Sequence, residues 1–82
     1  MIVKDLIVKK DYDYISWRVT HPDIPDGIFI GSCSSKNGKL IPHDQDYYST
    51  KDEVLFYEEW EDKDIGINNG LTILIPGEWI SK

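Results

Sequence analysis

Eighty-two residues hold one hydrophobic core and leave no room for a second, so residues 1–82 are expected to form a single domain. Fifteen Asp and Glu against nine Lys and Arg set the net charge at −6, which argues against direct nucleic-acid binding, an affinity that comes from cations displacing counterions. A lone cysteine, Cys33, excludes an internal disulfide, and no run approaches the roughly 18 apolar residues of a membrane-spanning helix.

With one cysteine and no disulfide a cytoplasmic setting is expected, and the N-terminal residues Met1-Ile-Val-Lys-Asp5, which lack the apolar stretch and small-residue cleavage site of a secretory signal, give no expectation of membrane targeting. A core of this size contributes only about 3–5 kcal/mol net, which makes a homo-oligomer a further expectation.

Residues 2–8 are apolar and β-branched and read as a short strand, paired through a turn near 10–13 with a second strand at 14–20. There Ile15, Trp17 and Val19 alternate with Tyr14, Ser16, Arg18 and Thr20, one set inward and the other to solvent. Residues 21–27 carry Pro22, Pro25 and Gly27 and read as a surface loop. A third strand over 28–33 leads to Asn37-Gly38, a dipeptide suited to a type I′ hairpin, and 39–42 returns as a fourth strand. His43–Asp46 reads as a loop.

Residues 51–60 fit two templates. Thr50 with Glu53 makes a capping-box pattern that would start a helix with Phe56 and Trp60 on one face. The four apolar residues 54–57 would spread around most of a helix, and their aromatic and β-branched content suits a strand, which is the preferred assignment. Residues 61–70 read as a polar loop, 71–75 as the strongest strand in the chain, and Pro76-Gly77 as a turn into Glu78-Trp79-Ile80. The fold class is therefore mainly β: a small single-domain antiparallel sheet or barrel of about six short strands, with an α+β fold carrying one helix at 51–60 as the alternative.

Three catalytic or metal constellations fail on spacing. His21, Cys33, His43 and Asp44 include no pair spaced to place two ligands on one turn, so no metal and no cofactor is expected. Asp26 with Glu61, Asp62 and Lys63 resembles a two-carboxylate nuclease pattern only superficially, because the later residues fall among other acids in an apparent loop. Ser32-Cys-Ser-Ser35 with His21 or His43 as base lacks a nucleophile elbow, although such pairs form in space rather than in sequence.

Charge is unevenly placed. Residues 1–42 hold six basic against five acidic residues, whereas 43–82 hold ten acidic against three basic. Asp44, Asp46, Tyr47, Tyr48, Asp52, Glu53, Tyr57, Glu58, Glu59, Trp60, Glu61, Asp62 and Asp64 interleave carboxylates with amphipathic rings. Such rings anchor interfaces and a negative field steers a basic partner to them. The expected function is thus a non-enzymatic acidic binding protein of inhibitor, antitoxin or immunity type, contacting a basic nucleic-acid-handling protein through these residues. The alternatives are a small-ligand β module with an aromatic-lined pocket, and a plain arrangement in which Tyr57, Trp60 and Trp79 belong to the core and the acids to a solvated face.

Overall fold

The computed structural model describes residues 1–43 and 49–77. Five strands, β1 (Tyr12–His21), β2 (Ile24–Lys36), β3 (Lys39–Pro42), β4 (Phe56–Asp62) and β5 (Ile67–Ile75), form one open sheet in the order β3-β2-β1-β5-β4. The mainly β expectation holds. No helix among the described residues is long and apolar enough to cross a membrane.

The N-terminal segment departs from the reading as a strand. Residues Val3–Ile7 form a short helix, α1, whose Val3, Leu6 and Ile7 are all buried. Their i, i+3, i+4 spacing is a helical stripe, which a run of apolar residues conceals when only its composition is weighed. The Asp5 carboxylate closes the first turn by accepting the Ile2 N–H at 2.9 Å. Instead of pairing with β1, this segment is held by residues 50–54: Val3 and Lys4 donate to the carbonyls of Asp52 and Thr50, and Val54 N–H donates to Met1.

That docking also settles the ambiguous segment. Ser49 turns the chain, accepting from Lys51 N–H at its hydroxyl and from Asp52 N–H at its carbonyl, so Thr50 and Glu53 open no helix. The strand assignment holds, displaced to Phe56–Asp62.

β1 buries Tyr12, Ile15, Trp17 and Val19, and Trp17 is wholly enclosed. Its indole N–H meets Cys33 Sγ at 2.9 Å on neighbouring β2, supplying the partner that a buried indole requires. The expected loop at 21–27 shrinks to Pro22-Asp23, because β2 begins at Ile24 and runs as an irregular strand through Pro25. Gly27 allows this: its φ is 75°, and a Cβ there would collide with the Val19 carbonyl. The Asn37-Gly38 turn forms as expected, with φ of 53° and 76°, and connects β2 to β3.

Three of the four ladders are antiparallel; β1 with β5 is parallel. The intervening residues are long enough for a crossover, and parallel pairing places Leu71, Ile73 and Ile75 beside Ile15, Trp17 and Val19. Both ends of β5 are fastened to β1. Asp13 Oδ2 accepts the N–H groups of Asn68 and Asn69 at 3.1 Å, and Thr20 Oγ1 accepts that of Gly77 at 2.8 Å. The expected loop at 61–70 is mostly strand, broken by a 3-10 turn at Lys63–Ile65 that closes on Gly66 in the left-handed region.

One face of the sheet, with α1 and Val54 against it, is the core. Among the described residues no helix or second sheet lies over the other face, here the uncovered face, which carries Tyr14, Ser16 and Arg18 of β1, Thr72 and Leu74 of β5, and Phe56, Glu58 and Trp60 of β4. The residues 78–80 expected as a strand lie outside the described residues.

Candidate functional site

β4 is an edge strand. Among the described residues it pairs with β5 alone, opposing Phe56 to Leu74, Tyr57 to Ile73, Glu58 to Thr72, Glu59 to Leu71 and Trp60 to Gly70. Because alternate residues point to opposite faces, Tyr57 and Glu59 share the face of buried Ile73 and Leu71, while Phe56, Glu58 and Trp60 share the uncovered face. The acidic and aromatic cluster is therefore presented in two halves. Phe56 is 57% exposed and Tyr57 39%, so neither joins the core, contrary to the plain arrangement for Tyr57.

The carboxylates differ in their attachments. Glu59 Oε1 accepts the Tyr12 hydroxyl at 2.8 Å and lies 2.9 Å from Lys10 Nζ. Those two partners, Lys10 foremost, hold its carboxyl below the ordinary carboxylate range. Burial, followed by the bond to Glu59, pushes the Tyr12 phenol well above its ordinary value. Asp62 is spent locally, accepting the Asp64 N–H at 3.1 Å. Glu58 makes no hydrogen bond or ion pair among the described residues. Asp52 and Glu53 precede the strand, in the segment that grips the N-terminus, and Glu61 lies at the register shift between Trp60 and Asp62. Asp44, Asp46, Tyr47 and Tyr48 lie outside the described residues.

Trp60 is half-buried on the uncovered face. Its indole N–H donates to Thr72 Oγ1 at 3.0 Å, and Tyr14 meets its ring edge-on at 6.0 Å. A Cβ on Gly70 would lie 2.5 Å from the indole, so the glycine makes the seat for the ring.

Beside it runs a groove of about 520 Å³ lined by Arg18, Pro25, Asp26, Phe56, Glu58, Thr72 and Leu74. Arg18 donates to the carbonyls of Asp26 and Gly27 at 2.9 Å, so its guanidinium holds the start of β2. Sequence reading recognised the outward residues of β1 but missed Thr72 and Leu74 beside them, since only the parallel ladder brings them there.

The three discarded constellations are also placed. Cys33 is buried against Trp17, His21 Nδ1 accepts the Asp23 N–H, and no group of three potential ligands among the described residues could hold a metal ion. Asp26 faces the Phe56 end of β4, a strand's length from Glu61, Asp62 and Lys63, so the nuclease-like carboxylates do not converge. Ser32 and His43 do meet, Oγ to Nδ1 at 3.1 Å, beside the Tyr14 ring on an exposed surface. No family model, no curated protein and no solved structure matches this chain.

Proposed function

We propose that this chain is a non-enzymatic binding protein that engages a basic protein surface through β4 and the acidic residues flanking it. The observation that supports this most is the exposure, on one sheet edge, of Phe56 and Tyr57 together with Glu58 and Glu59. Rings that could have been buried sit in water beside carboxylates, which is the composition of an interface anchor in a negative field. A nucleic-acid-handling protein is the target class that presents such positive grooves, and carboxylates replacing phosphates would make the chain an inhibitor of antitoxin or immunity type.

The test is capture from the native cell on immobilised wild-type chain, on a Glu58→Lys, Glu61→Lys double variant, and on the triple variant that adds Glu59→Lys. The double variant leaves the bonds of Glu59 to Tyr12 and Lys10 intact, so loss of binding there is not loss of the fold. A basic protein should elute steeply between about 0.05 and 0.5 M salt and be missing from both variant baits. Capture of the same proteins by all three baits would overturn the reading.

The groove beside Phe56 favours a second reading, a small-ligand module, since its volume falls within the usual range of about 300–1,000 Å³. Among the described residues its one aromatic wall is Phe56, and its guanidinium is already engaged. A thermal shift with a small-molecule library that Glu58→Lys and Glu61→Lys leave unchanged would favour this reading.

A further inference from the structure

We infer that the partner segment is an extended basic peptide that adds to β4 as a further strand; this deepens the proposed function and rests on it. On a strand paired along one side, alternate backbone N–H and C=O groups point away from the sheet and are available to a new strand. Proteins blunt such edges with proline, charged side chains, bulges or a short strand. The opposite edge, β3, is blunted in that way: it has four residues and ends in Pro42. β4 is guarded by charge alone: Phe56 to Trp60 run in unbroken register with β5 and contain neither proline nor lysine, the register shift comes only after Trp60, and carboxylates repel a like strand while leaving the edge open to a cationic one.

Charge selects the occupant. In an antiparallel pair of two copies, every two-fold register centred between Glu58 and Trp60 sets carboxylate opposite carboxylate, because four of the seven β4 residues are acidic. A second copy of this chain is disfavoured there and a cationic strand is favoured. Consecutive residues of that strand would lie beside Glu58 on the uncovered face and Glu59 on the helix face. Lys10 already partly neutralises Glu59, so the stronger demand for a cation is at Glu58. Apolar residues on either side would cover Phe56 and Tyr57.

The experiment uses the full chain and a capped peptide of two central lysines flanked by valines and threonines, with two further versions N-methylated on the odd or on the even amides. N-methylation removes the donors along one edge of a strand only. Strand addition predicts that one methylated peptide binds at least about tenfold more weakly while the other keeps the parent's affinity, and that Glu58→Lys weakens the parent. Equal binding of all three peptides, still salt-sensitive and still lost on Glu58→Lys, would overturn strand addition and leave the acidic surface standing. No binding of the parent peptide also overturns it, and the capture experiment then judges the wider proposal separately. Self-association of the chain that Glu58→Lys strengthens would overturn it as well, by assigning the edge to a second copy.

Discussion

Tyr12 on β1 donates its phenolic hydrogen to Glu59 on β4 at 2.8 Å, across the intervening strand β5. The same carboxylate oxygen holds Lys10, so a residue of the acidic edge also ties that edge to the core strand. Glu59 has a lowered folded pKa, so its contribution to stability is complete above its unfolded value of about 4.5 and is lost as pH falls through the lower folded value. The carboxylate is half-exposed, which limits the effect to under about 1 kcal/mol. Tyr12 has a raised pKa, so its contribution is complete below pH 10 and declines above it. Urea unfolding of wild type and Tyr12→Phe should differ by about 1 kcal/mol at pH 7 and by less near pH 3. In alkaline absorbance titration, Tyr12 should ionise only as the fold is lost, a late step missing from Tyr12→Phe.

Trp17 and Cys33 occupy the centre of the core, both with no exposed surface. Trp17→Ala removes about 3–5 kcal/mol, comparable with the whole net stability of so small a domain, and should leave the chain unfolded by circular dichroism at 25 °C. Trp17→Phe keeps most of the volume but drops the donor to Cys33 Sγ. It should fold with a lowered urea midpoint, and a midpoint equal to wild type would show that the indole N–H contributes nothing.

Gly70→Ala tests the seat of Trp60 at the candidate interface. The added methyl would lie 2.5 Å from the indole, so the ring must lift toward solvent and release Thr72. The cost is about 1–3 kcal/mol, with red-shifted tryptophan emission. An unshifted spectrum at unchanged stability would place the ring elsewhere.

Ser32 and His43 make the hydroxyl–imidazole contact that sequence alone left open. Useful acylation also needs donors aimed at a developing oxyanion and a group that orients the base. In keeping with a binding role, a fluorophosphonate probe should leave Ser32 unlabelled after hours at neutral pH, read by intact mass. An adduct at Ser32 that His43→Ala abolishes would place catalysis ahead of binding.

The sequence by itself determined the elements whose signals are local: the alternation of Ile15, Trp17 and Val19, the Asn37-Gly38 turn, the apolar run 71–75, and the crowding of acids and rings after residue 43. Each depends on residues within a few positions of one another. The sense of the β1 to β5 ladder depended on residues some fifty apart, and so did the uncovered face that it assembles from Arg18, Leu74 and Phe56. Residues 2–8 show the limit most clearly, since their apolar content fits strand and helix alike. The choice fell to α1 because Val3, Leu6 and Ile7 could cover a sheet face left bare, while residues 50–54 satisfied the backbone groups at its start. The acidic segment was visible in the chain, but its division between two faces, with Glu59 tied down and Glu58 left to solvent, came from the pleat of an edge strand.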